Sequence, residues 1–518
     1  MKVDKTTVIR FIKPHAVILT IFGIGALLRF WPVGLDSGFR FHSGWNEAHY
    51  VSEAENFRKY GWFNQKPIEW LGLKQRSNDY THPPLVTWIM CISILIFQKP
   101  ELGGRIPIAI FGFFSLVVFY LVAKKLYPDN RKVGQIATLL FTLNPGHIYY
   151  SRIAQLDVPM LFFELLSLYF WLVWIERLKT QDKNTTYSAL AGISLGLAVL
   201  SKFQALTFFV VPFFVVIFTK TSRIALKNKG FWIFLILVFL FTIFWPIVAY
   251  FKGDWDIMQG QLGWYVFGGR SDPIKFGLRP LTWYLNTVIL WWGIEMFSLP
   301  ILGFSLLGFL LLLLRRKSSD LFVCAWSAYY AILLIFWHKH DYYLLASVPS
   351  SLIVVSVFFS ILLPQFLEKI PLHSVNLRRT TVFSYFFLLF IGICSVYQTH
   401  GILAYYKCYA DFPDFRSAGL LIRENSPENA LVIAFNIPIL EYYSNRTTRW
   451  AEVITDKPLL QSYLISGQIV FVFIHDEELP EVHETWNLVN TYEIYKLYVN
   501  NRGMSYLIKR GINVIDAE

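Results

Sequence analysis

Leu85-Val86-Thr87-Trp88-Ile89-Met90-Cys91-Ile92-Ser93-Ile94-Leu95-Ile96-Phe97 is an apolar run that decides the topology. At about 13 residues it is too short to cross a bilayer, which takes roughly 20. If it crossed, Lys124-Lys125 with Arg131-Lys132 would fall outside, and so would most later basic clusters. If it lies along the surface, these clusters, the Lys220 to Lys229 group and Arg315-Arg316-Lys317 all fall inside, where basic anchors belong. The charge pattern therefore makes residues 34–104 one large outer loop carrying two juxtamembrane helices.

Working outward, the first apolar run, Ala16–Trp31, follows Lys2, Lys5, Arg10 and Lys13 and lacks a small-x-small cleavage site. It reads as an uncleaved first span. Further spans are expected near 105–123, 133–150, 158–175, 187–200, 205–219, 231–250, 296–314, 320–336, 343–363 and 380–398, about eleven crossings in all. Residues 252–295 form a second outer loop, with Leu281–Trp292 half-embedded. The fold class is mainly α and polytopic. Residues 1–400 make the transmembrane domain. Residues 401–518 make a small α/β domain, in which Ala430–Phe435 and Ile469–Ile474 read as buried strands, each preceded by a helical stretch. Counting crossings places it outside.

Composition agrees. The 518-residue chain is 55% hydrophobic and 16% charged, with a mean hydropathy of +0.44. Its net charge of +12 sits in short clusters between apolar runs, so a nucleic-acid partner is excluded in favour of membrane lipids. Cys91, Cys324, Cys394 and Cys408 show neither disulfide nor metal spacing. No Walker loop or Rossmann glycine pattern is present, so nucleotide-driven and dinucleotide chemistry are not indicated.

Three polar patches fall on the same outer side: Trp45-Asn46-Glu47-Ala48-His49-Tyr50, His82-Pro83-Pro84-Leu85 and Arg152-Ile153-Ala154-Gln155-Leu156-Asp157. Each has a plain reading. Glu47 and Asp157 complement helix starts, Asn46 is an N-cap, Trp45 and Tyr50 are interfacial belt residues, Arg152 snorkels and His82 caps the chain at headgroup level. Their common side and depth point instead to one reactive zone. Lys202 at an outer turn and the His338-Lys339-His340-Asp341-Tyr342-Tyr343 group join it, because a phosphate there needs cations. Glu164, inside an apolar span, is either a hydrogen-bonded buried acid or part of the cavity. Asp254-Trp255-Asp256 reads as a chance D-x-D.

The three patches, in this order and spacing, resemble the GT-C superfamily of integral-membrane glycosyltransferases over roughly residues 10–400. The branch containing protein O-mannosyltransferases and lipid A aminoarabinose transferases is the most similar. The resemblance implies a polyprenyl-phosphate-linked sugar donor and transfer to an extracytoplasmic protein, lipid or glycan acceptor, with inversion. The family's first-loop pair is Asp-Glu. Here Asn46 stands first, so the base falls to Glu47 or to Asp157. Asn46, Tyr50, His82, Arg152, Lys202, His340 and Tyr343 are the expected substrate-binding residues. Metal dependence is open, with Glu47, His82, His338 and His340 as candidate ligands and no certain cofactor. Glu47→Gln is expected to abolish transfer with stability nearly intact, since the change is isosteric and near water. The competing readings are a transporter or flippase of lipid-linked saccharides, which would show mid-bilayer charges and a repeat, and an inactive membrane scaffold.

Overall fold

The computed structural model describes residues 5–32, 35, 37–39, 41–65, 78–181, 184–219, 222–267, 282, 294–336, 341–369, 377–410, 415–434, 437–450, 462, 468–475, 486–492 and 495–509. The elements that position the reactive zone come first in the chain: α1 (Lys5–Phe30), α2 (Phe41–Tyr60), α3 (Leu85–Phe97), α4 (Pro100–Leu126), α5 (Arg131–Thr142), α6 (Pro145–Tyr150), α7 (Asp157–Lys179) and α8 (Thr186–Ser201). Five helices among the described residues are long and apolar enough to span a membrane: Pro100–Leu126, Asp157–Lys179, Lys229–Phe251, Tyr342–Phe366 and Thr381–Gly401. Shorter apolar helices accompany them, among them Leu85–Phe97, Thr186–Ser201 and Leu299–Arg315. This is an integral membrane protein.

Burial separates the inner helices from the lipid-facing ones. The most apolar stretch of α7 is 67% buried and that of Tyr342–Phe366 83%, against 22% for Lys229–Phe251 and 17% for Thr381–Gly401. The helix that begins at Asp157 is thus central, and any site at its mouth is framed by α4, α8 and the Tyr342–Phe366 helix. Small residues permit the close approaches. A side chain at Gly104 would meet Val51 Cγ2 of α2 at 2.6 Å and Ala154 Cβ at 3.2 Å, so this glycine lets α2, α4 and the 151–156 turn converge.

The run expected as one span at 133–150 is broken into α5 and α6. Asn144 caps α6 by accepting from His147 N, and Pro145 occupies its first position, so the helix ends and restarts there. The 205–219 span is likewise a 3-10 turn, Phe203–Phe209, followed by helix Val210–Phe218. Within the second expected outer loop a helix runs Trp255–Phe267, and most of the Leu281–Trp292 stretch lies outside the described residues. Asp254 of the D-x-D accepts from Asn78 Nδ2 and Tyr80 Oη, both at 2.7 Å, which ties this segment to the first loop.

Toward the C-terminus a five-stranded sheet forms from β1 (Leu431–Ala434), β2 (Thr447–Trp450), β3 (Val470–His475), β4 (Asn487–Tyr492) and β5 (Tyr495–Val499). Its order is β2-β1-β3-β5-β4. β1 runs parallel to β2 and β3, while β5 is antiparallel to β3 and β4. Continuous apolar strands such as Leu-Val-Ile-Ala suit burial on both faces. The expected strands at 430–435 and 469–474 are β1 and β3, and helix Phe415–Asn425 precedes the first of them.

This sheet unit docks on the first loop through helix Ile437–Ser444. Tyr443 Oη accepts from Phe39 N at 3.0 Å and donates to Glu101 Oε1 at 2.9 Å. Phe39 lies just before α2 and Glu101 in the first turn of α4. Phe39 also meets the rings of Tyr442 and Tyr443 at 5.1 and 5.7 Å.

Candidate active site

Glu47 stands in the second turn of α2 rather than at its start, and Asn46 is inside the helix, so neither serves as a cap. Glu47 is 1% exposed. Arg105, from α4, grips it with both arms: Nε to Oε1 at 2.7 Å and Nη2 to Oε2 at 2.8 Å. The Ala154 N–H adds a third bond to Oε1 at 2.8 Å. Arg105 spends its remaining donors on the carbonyls of Leu35, Ser37 and Gly38. The expectation that Glu47 faces water is therefore corrected: α2, α4 and the turn before α7 meet on it, and a bidentate buried pair holds them in one arrangement.

That junction carries the 151–156 turn. Asn46 Nδ2 donates to Gln155 Oε1 at 3.3 Å, next to the start of α7. Arg152 Nη1 donates to the Leu28 carbonyl at 3.0 Å, which fastens the same turn to the end of α1. Asp157 opens α7 at 1% exposure, and its Oδ1 accepts from Lys202 Nζ at 2.8 Å. Asp157 Oδ2 is buried with no hydrogen bond among the described residues. Lys202, 2% exposed, also lies over the rings of Tyr342 and Tyr343 at 4.5 and 4.8 Å. Its ammonium is thus held between a carboxylate and two π faces, away from bulk water. Tyr150 reaches the same wall, 6.5 Å from the Tyr342 ring.

Tyr50, on α2, and His82 form a second pair. Tyr50 Oη lies 3.3 Å from His82 Nε2, and the rings meet edge to face at 5.5 Å. Prolines 83 and 84 precede α3, as the His-Pro-Pro pattern leads one to expect. Glu164, two turns further along α7, accepts from Tyr330 Oη at 3.3 Å, the hydrogen-bonded acid of the plain reading. His338 and His340 lie outside the described residues.

The structure thus brings Asn46, Glu47, Asp157, Lys202 and Tyr343 into one contiguous group, with Arg152 anchoring its turn. Sequence reasoning missed Arg105, which looked like one more basic residue at the mouth of a span, and Gln155. It also missed a cluster beside the Tyr50–His82 pair. His49 Nε2 lies 3.2 Å from Asp79 Oδ2 and 3.3 Å from Glu53 Oε1. Burial opposes charge on His49, but the pull of Glu53 and the hydrogen bond to Asp79 outweigh it and raise its pKa to about 10. Burial pushes Glu53 up to about 7 despite His49, whereas Asp79, although buried, is held well below the usual carboxylate range by His49. The i,i+4 spacing of His49 and Glu53 was the visible signal.

The fold is similar to that of solved ArnT and oligosaccharyltransferase structures. The crystal structure of ArnT from Cupriavidus metallidurans bound to undecaprenyl phosphate superposes with a TM-score of 0.65 at 15% identity, covering 94% of this chain and 98% of that one. Residues 81–250 match the family model described as dolichyl-phosphate-mannose-protein mannosyltransferase. An uncharacterized protein of Aquifex aeolicus is 27% identical over 70% of this chain, and the polyprenol-phosphate-mannose–protein mannosyltransferase of Corynebacterium glutamicum is 30% identical over 23% of it. The matched stretches span 65% and 22% of those relatives' own lengths.

Proposed function

We propose that the chain transfers a sugar from a polyprenyl-phosphate-linked donor to an extracytoplasmic acceptor, with inversion at the anomeric carbon. The observation that carries this reading is the Asp157–Lys202 pair at the mouth of the central helix α7: a buried carboxylate with one oxygen unengaged among the described residues, beside a buried ammonium. The similar ArnT is described as bound to undecaprenyl phosphate, and the similar Corynebacterium protein by its name uses polyprenol-phosphate-mannose. Both support a lipid-phosphate donor here, and the family match supports mannose-like sugars and a protein among the acceptors.

A sugar on a lipid phosphate carries its own leaving group. The enzyme has to take a proton from the acceptor hydroxyl and meet charge on the departing phosphate. Asp157 Oδ2 receives the acceptor's proton as its oxygen bonds the anomeric carbon. The bond from that carbon to the phosphate oxygen breaks, and the lipid phosphate leaves with the electron pair. Lys202 Nζ, poised on Asp157 and the two tyrosine rings, faces that phosphate, and His82 supplies a second polar contact. Glu47, already engaged by three donors, is a positioning residue: it fixes α2 and the 151–156 turn so that Asn46, Gln155 and Asp157 keep their places. The reactive zone and the C-terminal sheet unit lie on the outer side.

The test is transfer from radiolabelled polyprenyl-phosphate sugars in membranes containing the wild-type or the Asp157→Asn chain. Transfer by wild type alone is the expected result. Equal transfer by both, at equal expression, would remove Asp157 from the mechanism.

A further inference from the structure

His49, Glu53 and Asp79 take no part in the chemistry just proposed. Their donor atoms, one imidazole nitrogen and one oxygen from each carboxylate, all lie within 4.8 Å of one another. We propose that these three side chains bind a divalent transition-metal ion of the zinc or manganese class.

Three observations carry the assignment. The first is spacing. Donors around a tetrahedral ion, with bonds of about 2.0–2.2 Å, stand roughly 3.3–3.6 Å apart. His49 Nε2 lies 3.2 Å from Asp79 Oδ2 and 3.3 Å from Glu53 Oε1. Both separations are longer than the roughly 2.7–2.9 Å of a charge-assisted hydrogen bond, and the nitrogen that bonds Asp79 leaves Glu53 Oε1 without a hydrogen bond among the described residues. The nitrogen is shared between two carboxylates at ligand–ligand distance.

The second is the support behind each carboxylate. Asp79 Oδ1 accepts from Thr81 N at 2.7 Å and from Thr81 Oγ1 at 2.6 Å, which leaves Oδ2 turned to His49. Glu53 Oε2 accepts from Gln65 Nε2 at 3.0 Å, which leaves Oε1 turned to His49. Each acid is thus held by one oxygen and presents the other, the outer-shell arrangement that orients metal ligands.

The third is an unspent acceptor. Glu53 is 0% exposed, yet its Oε1 has no hydrogen bond among the described residues and is aimed into the cluster. Burying an acceptor in that condition is costly, and a cation there removes the cost. One imidazole with two carboxylates suits zinc or manganese better than calcium or magnesium, which prefer all-oxygen shells. His49 alone of the three is partly exposed, its side chain at 16%, so the ion enters from that side and keeps a position for water. Bound there, it clasps α2 to the segment that leads into His82.

The experiment uses the full-length chain purified in detergent, stripped with chelator and re-equilibrated with zinc, manganese or cobalt alone. Metal content is read by mass spectrometry and the cobalt form by its visible absorption. The wild type is expected to retain one equivalent, to show cobalt bands diagnostic of nitrogen and oxygen ligation, and to gain thermal stability with metal. Glu53→Gln and His49→Gln should each weaken binding at least about tenfold, while His82→Gln leaves it unchanged. Failure of wild type to retain any of the three metals above a buffer control overturns the proposal, as does binding unaffected by both ligand variants. Because the readout is binding, its failure is separate from failure of sugar transfer. Should one ligand variant not fold, the wild-type stoichiometry and the other variant still decide the question.

Discussion

Arg105 holds both carboxylate oxygens of Glu47, at 2.7 and 2.8 Å, with neither side chain more than 2% exposed. A pair so placed is a structural clasp, and breaking it from one side strands a buried charge. Glu47→Gln is accordingly expected to cost about 3–5 kcal/mol of stability, visible as a large drop in the unfolding temperature of the detergent-purified protein. An unchanged unfolding temperature would mean that Glu47 is free to act in chemistry.

Asp157→Asn should cost chemistry as well as stability. The amide oxygen can still accept from Lys202, but the buried ammonium loses its counter-charge and the proposed proton acceptor is gone. Transfer per folded molecule is expected to fall roughly 10²–10⁴-fold, with the KM for the lipid donor little altered, alongside a lower melting temperature than wild type. A change confined to KM would assign Asp157 to donor binding.

Gly103 faces Ile94 across the short turn between α3 and α4. A side chain there would come within 2.6 Å of Ile94 Cα and 2.8 Å of its backbone nitrogen, atoms that cannot swing aside. Gly103→Ala is expected to destabilise by about 1–3 kcal/mol. Gly303, where a side chain would meet nothing within 4 Å among the described residues, is the matched control and should tolerate alanine. Thermal unfolding of the two variants side by side checks this.

Tyr443→Phe removes one acceptor and one donor and leaves Phe39 N and Glu101 short of a partner, a loss of about 1–3 kcal/mol in buried surroundings. Limited proteolysis should then cut between the membrane helices and the sheet unit faster than in wild type. No change in cleavage rate would mean that the ring contacts alone hold the two together.

Much of this was legible in the sequence because it depends on local pattern. The apolar run 85–97 is the helix α3 and Asp157 is the first residue of α7, since length, proline placement and periodicity are properties of neighbouring residues. The break at Asn144-Pro145 carried its own signal, an N-cap followed by proline, which the apolarity of the flanking residues masked. What escaped was pairing across distance. Arg105 lies 58 residues from Glu47, and nothing in its surroundings tells it apart from a lysine or arginine that anchors a span. Likewise the i,i+4 pair His49 and Glu53 gains its meaning only when the loop returns Asp79 to it. The β4–β5 hairpin was missed because Asn487–Tyr492 is half polar and offers no clear alternation.

Tyr443 joins the chain entering α2 to the chain entering α4, the two helices that supply Glu47 and Arg105. Deleting the C-terminal sheet would therefore remove a keystone along with a module. A truncated enzyme that lost activity would not thereby reveal a substrate-binding role for the sheet. Point substitutions on its outward face, which leave Tyr443 in place, are the way to ask what that unit recognises.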